Sequence, residues 1–215
     1  MNIGLDVDGV IFNTEEWLCI YAEIFDIETF KKDSLINPFE YYKETQYDWD
    51  KAHSDEFLNT YLLKSTYDST FIAGAVWVIK RLKELGHKVI IISARGEEYP
   101  EVLPVLEKRF EAAGLEFEKI YWKTHDKLSI CQKENIDIMV DDRPSTCKKI
   151  SDNNIHTLYL KNESRVELED NDYLKTVKNW GEIYKQIILL SQKLNNLTKT
   201  KKQYITISLN KFIRN

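Results

Sequence analysis

Short apolar segments alternate with segments of helical periodicity over most of the chain. Residues 3–7 and 88–92 are largely apolar at consecutive positions, as in strands that are buried on both faces of a parallel sheet. Between them, residues 74–85 place apolar side chains every three positions, which predicts a helix capped by Gly86. The first of these strands is expected at the centre of the sheet.

The same alternation continues towards the carboxyl terminus. It predicts helices near residues 101–113, 126–134 and 145–151, and strands near 118–122, 136–140 and 156–160. Such an order implies right-handed crossovers. The predicted fold class is therefore α/β, with a doubly wound parallel sheet.

The alternation lapses in residues 14–70, which are rich in aromatic and acidic side chains. Apolar positions such as Trp17, Ile20, Tyr21 and Ile24 have helical spacing, and β-rich segments are almost absent. We therefore expect a small helical cap inserted after the first strand. The predicted domains are a core of residues 1–13 and 71–193 and a cap of residues 14–70.

The carboxyl-terminal part gives a weaker pattern. Residues 173–194 are expected to form one or two amphipathic helices with Trp180 as a packing anchor. Beyond residue 194 the chain is rich in Lys and Asn, and the alternation of Ile205, Ile207 and Leu209 is compatible with a short strand or a frayed tail. Residues 194–215 are thus an extension without a predicted structure.

Composition narrows the range of partners and compartments. The 215 residues carry a formal charge of -5, from 30 basic and 35 acidic side chains that are interspersed, so duplex nucleic acid is not an expected partner. Three widely spaced cysteines lack metal-site spacing and are expected to be reduced thiols. Without a signal region or an apolar membrane span, a cytoplasmic protein that does not bind membranes is expected, as a monomer or homodimer.

Polar side chains follow three of the predicted strands. Asp6 and Asp8 follow the first, Ser93 and Ala94 follow the second, and Asp141 with Asp142 ends a later one. Because the carboxyl ends of parallel strands meet at one edge of a sheet, these groups are expected to lie together. Asp6 could attack a phosphorus atom while Asp8 transfers protons, so the sequence predicts a phosphoryl-transfer site.

A site of this kind needs cations to neutralise the phosphate. Asp6, the backbone carbonyl of Asp8 and Asp141 offer the oxygen ligands that Mg²⁺ prefers, with Asp142 outside the coordination sphere or bound through water. The Ser93 hydroxyl and the backbone amides that follow it, beginning with that of Ala94, could donate to a phosphate oxygen. A lysine is also expected there. Lys127, at a predicted helix start, is the first candidate, and Lys123 is the alternative.

These residues together resemble the four motifs of the haloacid dehalogenase-like phosphohydrolase superfamily. Asp6-Val7-Asp8-Gly9-Val10 resembles its first motif, Ser93 its second, Lys127 its third and Asp141-Asp142 its fourth, and the match spans about residues 1–160. The resemblance implies that Asp6 is the nucleophile and that Asp8 is the general acid and base. It further implies that Ser93 and Lys127 hold the phosphate, and that Asp6, Asp8 and Asp141 bind Mg²⁺.

Within that superfamily the chain is similar to the 5'(3')-deoxyribonucleotidase group. The similarity rests on the position of the cap and on residues 126–127, 140–144 and 179–183, although Ser93 stands where that group frequently has threonine. It implies a magnesium-dependent phosphatase of nucleoside monophosphates that works through an aspartyl-phosphate. Aromatic residues of the cap region could stack on a base or pack inside the protein: Phe39, Tyr41, Trp49, Phe71 and Trp77.

Three alternatives remain open at this point. The same catalytic groups could serve a sugar phosphate or another small phosphomonoester, because fold and catalytic residues do not determine what a cap admits. A binding or regulatory protein could keep the site without turnover. A phosphatase that acts on nucleic-acid ends is a third reading, and the acidic charge balance argues against it.

Overall fold

Six parallel strands form one sheet at the centre of the protein. The computed structural model describes residues 1–40, 42–97, 99–162 and 166–212, with side chains described up to residue 196. The strand order is β3-β2-β1-β4-β5-β6. The strands are β1 (Asn2–Leu5), β2 (Lys88–Ile92), β3 (Lys119–Tyr121), β4 (Ile138–Asp141), β5 (His156–Leu160) and β6 (Leu174–Val177). The α/β class, the parallel sheet and the central place of the first strand are confirmed.

Helices connect the strands. They are α1 (Thr14–Phe30), α2 (Lys43–Gln46), α3 (Lys51–Asp68), α4 (Ala75–Glu84), α5 (Leu103–Ala112), α6 (Lys127–Lys133), α7 (Pro144–Ser151) and α8 (Trp180–Phe212), with a short 3-10 helix at Pro100–Val102. The predicted helices and strands between residues 74 and 160 are present, and their bounds move by at most about two residues. Gly86, with φ of +81°, follows α4 as the predicted cap.

The sheet is apolar on both faces, which explains the unbroken apolar segments in the sequence. Ile3, Leu5 and Ile91 belong to one buried cluster, while Ile90 and Met139 belong to another on the opposite face. Alternate residues of a strand point to opposite faces, so a strand covered on both sides is apolar at every position. Burial on both faces leaves the carboxyl ends of the strands as the place for polar chemistry.

Residues 14–70 contain α1, α2 and α3 and an apolar cluster of their own. Phe25, Trp49 and Phe57 are buried in this cluster. Where the segment meets the strand-rich part, the Asn13 amide donates to the Thr70 carbonyl at 3.0 Å, and the Thr70 amide donates to the Asn13 side chain at 2.6 Å. The entry and exit of the segment thus lie side by side, and its definition as a separate cap stays a prediction.

One expectation for the carboxyl-terminal part is wrong. Residues 174–177 form the edge strand β6, paired with β5 in the register Thr157↔Leu174, where a helix was expected. Leu174 and Val177, its two buried residues, are three positions apart and imitate helical spacing. Helix α8 continues to Phe212, through residues for which the sequence predicted no structure, and no Gly or Pro follows Gly181 to end it. No helix among the described residues is long and apolar enough to cross a membrane.

Candidate active site

The loop after β1 brings two carboxylates to the edge of the sheet. The Asp6 amide still donates to the Val140 carbonyl at 3.0 Å, and the chain then turns so that the amides of Ile11 and Phe12 donate to the Val7 carbonyl. Gly9 has a φ of +66°, and a Cβ atom at this position would lie 1.9 Å from Oδ2 of Asp142. The turn therefore requires glycine both for its backbone conformation and for the space beside Asp142.

Lys127 lies between two carboxylates that come from different strands. Its Nζ atom is 2.7 Å from Oδ2 of Asp6 and 2.7 Å from Oδ2 of Asp141. All three residues are buried. Asp141 is the last residue of β4, and its Oδ1 accepts a hydrogen bond from the Arg143 amide at 2.9 Å. The ammonium and the carboxylates hold one another in place at the carboxyl ends of β1 and β4.

The charges of this cluster alter its titration. Burial raises the pKa of Asp6 to about 6, against the lowering effect of the Lys127 charge, and Asp141 and Asp8 raise it further. Burial also raises the pKa of Asp142 well above its ordinary value, and Glu15 adds to this. For Lys127, burial by itself lowers the pKa, but the neighbouring Asp141 and Asp6 outweigh it and hold the pKa above its usual range. The cluster carries more negative than positive charge.

Three carboxylates fit a divalent cation at this point. Asp6, Asp141 and Asp142 each offer an oxygen within 4.8 Å of the others, and all three are buried. The Oδ1 atom of Asp6 is buried and has no hydrogen-bond partner among the described residues. An all-oxygen set with surplus negative charge and an unpaired carboxylate oxygen suits Mg²⁺. The side chain of Asp142, expected outside the ligand set, belongs to this acidic cluster.

The Asp8 carboxylate points elsewhere. It accepts hydrogen bonds from Nε of Arg95, at 2.7 Å, and from Nη2 of the same guanidinium. Arg95 is 8% exposed, and its Nη1 atom is buried without a partner among the described residues. Two parallel bonds fix the orientation of a carboxylate more firmly than one. Arg95 therefore orients Asp8, a contact that sequence reasoning missed although Arg95 directly follows Ala94 in the chain.

The predicted phosphate-binding residues line one cavity with the carboxylates. Ser93 directly follows β2 and, with Ala94 and Lys127, contributes to the wall, whereas Lys123 is exposed and absent from it. The Ser93 hydroxyl accepts a hydrogen bond from the Arg95 amide at 3.3 Å. The structure brings the Ser93 and Lys127 side chains to the same cavity as Asp6 and Asp8.

The cavity has a volume of about 360 Å³ and lies between the strand ends and the helical segment. One wall is apolar, with Leu18, Phe57, Leu58 and Leu62. Two charged residues that the sequence did not single out, Glu15 and Lys43, also line it. No local spacing relates them to the motif residues, because they are brought together only by the packing of the helices.

The aromatic residues proposed from the sequence are placed differently. Among the described residues, Phe39, Trp49, Phe71 and Trp77 are absent from the wall of this cavity, and Tyr41 lies outside the described residues. Trp49 packs in the apolar cluster of the helical segment, and Phe71 stacks on Phe12 with ring centroids 4.5 Å apart. The aromatic residues that line the cavity are Tyr42, Phe57 and Tyr99.

Comparison with known proteins identifies the fold. No family model matches the chain. A curated protein of Oceanobacillus iheyensis named "Putative nucleotidase OB0422" is 24% identical over 200 residues, which are 90% of this chain and 100% of that protein.

Solved structures show the same architecture. A predicted phosphoglycolate phosphatase from Haemophilus somnus has a TM-score of 0.60 at 12% identity, covering 86% of this chain and 96% of that chain. A haloacid dehalogenase-like hydrolase from Xanthomonas campestris has a TM-score of 0.59 at 12% identity, covering 91% and 98%. The haloacid dehalogenase-like fold that the sequence motifs implied is confirmed.

Proposed function

We propose that this protein is a magnesium-dependent phosphatase that hydrolyses nucleoside monophosphates through an aspartyl-phosphate. The observation that carries the proposal is the position of Lys127 between Asp6 and Asp141, beside the unpartnered Oδ1 atom of Asp6. A buried carboxylate oxygen without a partner is costly unless a ligand or cation meets it. Asp6, Asp141 and Asp142 would hold Mg²⁺, which would neutralise the phosphoryl oxygens when bound.

The chemistry requires two displacements at phosphorus. Asp6 attacks the phosphorus atom, the bond to the leaving oxygen breaks, and Asp8 gives that oxygen a proton. Asp8 then takes a proton from a water molecule, which attacks phosphorus, releases phosphate and restores Asp6. Lys127 and Ser93 bind the phosphoryl oxygens, while Arg95 orients the Asp8 carboxylate through its two hydrogen bonds.

Two observations support a nucleotide as the substrate. The similarity to the Oceanobacillus iheyensis protein, which is named as a nucleotidase, runs over that protein's full length. The cavity also combines an apolar wall with the ring of Tyr42, against which the guanidinium of Arg143 lies 4.7 Å from the ring centroid. Such a surface can contact a base by stacking and by apolar contact.

A sugar phosphate is the second candidate. Glu15, Glu44 and Glu97 line the same cavity, and carboxylates are suitable acceptors for sugar hydroxyls. Both candidates use the same catalytic groups and differ only in the leaving group. The choice between them therefore depends on relative turnover.

The test is phosphate release from a panel of 5' and 3' ribo- and deoxyribonucleoside monophosphates and common sugar phosphates. Each is measured with Mg²⁺ and with EDTA, for the native protein, Asp6→Asn and the control Asp55→Asn, whose carboxylate is exposed in α3. We expect Mg²⁺-dependent turnover of nucleotides that Asp6→Asn abolishes and Asp55→Asn retains. Preference for sugar phosphates would select the second candidate, and absence of turnover with the whole panel would refute the enzymatic proposal.

A further inference from the structure

Lys43 is a buried cation in the cavity wall that the proposed phosphatase chemistry does not use. It is the first residue of α2 and is 6% exposed. Its side chain forms no hydrogen bond or salt bridge with any other side chain or backbone group in the described part of the chain. By contrast, Lys127 and Arg95 in the same wall each contact carboxylates directly. Because the Lys43 side chain lies in the cavity wall without an ion pair to any described residue, an anionic group of a ligand can pair with its charge.

The backbone holds Lys43 at a fixed place. The Gln46 carbonyl, at the end of α2, accepts hydrogen bonds from the amides of Ile36 and Asn37, both at 2.9 Å. Next to it, Tyr47 is buried and stacks on Trp49 with ring centroids 4.6 Å apart. These contacts hold the carboxyl end of α2 against the rest of the helical segment. The backbone position of Lys43 therefore does not depend on a bound ligand. A preformed contact of this kind favours binding, since little ordering remains to be done.

Lys43 belongs to the helical side of the cavity. The charges that act most strongly on Asp6 are Lys127, Asp141 and Asp8. Burial raises the pKa of Glu15 to about 7, and Lys43 is the main charge that opposes this rise. Lys43 on α2 and Glu15 on α1 both belong to the helical segment, whereas Asp6 follows β1 at the edge of the sheet, so Lys43 faces the cavity from the side opposite Asp6. A substrate whose phosphate lies beside Asp6 would direct its leaving group towards this side.

We propose that Lys43 binds a second negatively charged group on the leaving group of the substrate. The preferred substrate is then a phosphomonoester with a further anionic group, either a carboxylate or another phosphate, so that among nucleotides a nucleoside bisphosphate is favoured over a monophosphate. This inference rests on the proposed phosphatase function. Lys43 is a specificity residue in this reading, because it contacts a part of the substrate that does not react.

The test compares substrates that differ only in the second charge. Phenyl phosphate is paired with 3-carboxyphenyl phosphate, and a nucleoside 5'-monophosphate with the corresponding 3',5'-bisphosphate. The variants are Lys43→Met, which keeps the length of the side chain without its charge, and Lys43→Arg, which keeps the charge. Lys51→Met, whose side chain is 87% exposed on α3, is the matched control.

A hydrogen bond to a charged group within a cavity changes affinity by about tenfold to a hundredfold. We expect Lys43→Met to lower kcat/KM by at least about tenfold for the doubly charged member of at least one pair, and by less than about threefold for its singly charged partner. Lys43→Arg should retain most of the native difference in kcat/KM between the doubly and singly charged members of that pair. Lys51→Met should retain all of it. The pair that responds tells whether a carboxylate or a phosphate is bound. An equal loss on both members of both pairs, or no loss on any, would overturn the assignment.

Binding measurements separate this inference from the proposed function. The dissociation constants of the same compounds are measured by calorimetry with Mg²⁺ on Asp6→Asn and on the double variant Asp6→Asn/Lys43→Met. If the native protein hydrolyses none of the compounds, the phosphatase proposal fails, but the double variant should still bind a doubly charged compound at least about tenfold more weakly. Equal dissociation constants for the two proteins would overturn the role of Lys43 even if hydrolysis is observed.

Discussion

Replacing Asp6 by Asn should stabilise the metal-free protein at neutral pH. The pKa of Asp6 is raised from 3.8 to about 6, chiefly by burial, so the folded protein holds this proton more tightly than the unfolded chain does. Between these two pH values the free energy of unfolding falls as pH rises, because the folded state binds more protons than the unfolded state. Above about pH 6 the ionised Asp6 destabilises the fold by its full amount.

The magnitude follows from the shift. A change of about 2.2 pKa units, at about 1.36 kcal/mol per unit, corresponds to about 3 kcal/mol. Asn has the shape of the protonated carboxyl and cannot ionise, so Asp6→Asn should raise the free energy of unfolding by up to about 3 kcal/mol at pH 7.5 in EDTA. For a chain of this length, each kcal/mol raises Tm by about 2–4 °C.

The assay is thermal and urea unfolding of the native protein, Asp6→Asn and Asp55→Asn at pH 4.5, 6 and 7.5 in EDTA. The stabilisation by Asp6→Asn should be largest at pH 7.5 and about a third as large at pH 4.5, which is still above the unfolded-state pKa of 3.8. Asp6 contributes to the raised pKa of Asp142, so Asp6→Asn also lowers that pKa, and this adds to the stabilisation. Added Mg²⁺ should stabilise the native protein more than the variant, because binding to the folded state alone raises its stability. A lower Tm for Asp6→Asn at pH 7.5 in EDTA, or a gain that is the same at all three pH values, would refute this reasoning.

Two other substitutions test the loop after β1. Gly9→Ala should lower turnover at least about tenfold, because the added Cβ atom would displace the Asp142 side chain. Gly86→Ala adds a Cβ atom at a similar positive φ but in open space, so this control should retain turnover. Equal rates for the two variants would contradict this. Trp180 is fully buried, and its Nε1 atom donates a hydrogen bond to the Val10 carbonyl at 2.8 Å. Trp180→Ala should therefore lower the free energy of unfolding, measured in urea, by about 3–5 kcal/mol. A loss below about 1 kcal/mol would show that this contact does not anchor the loop.

The sequence determined the sheet and the edge at which its polar groups meet. The apolar segments that became β1, β2 and β4 are continuous because both faces of the sheet are covered, and each is followed directly by a polar group such as Asp6, Ser93 or Asp142. Since all strands are parallel, strand ends that are far apart in the chain lie at one edge. Where the local pattern was ambiguous, the sequence interpretation was wrong for β6 and left the end of α8 without a predicted structure.

Only the tertiary structure decided how the side chains pair at that edge. Sequence spacing could not choose between Lys123 and Lys127, and only the fold places Lys127 between two carboxylates and leaves Lys123 exposed. The contact of Asp8 with Arg95 and the presence of Lys43 in the cavity wall likewise depend on residues that are distant in sequence. Periodicity records which side of a helix or strand is buried, because burial repeats along the chain. The partner of a single charged side chain leaves no repeating pattern, so it is determined by the packing of separate elements.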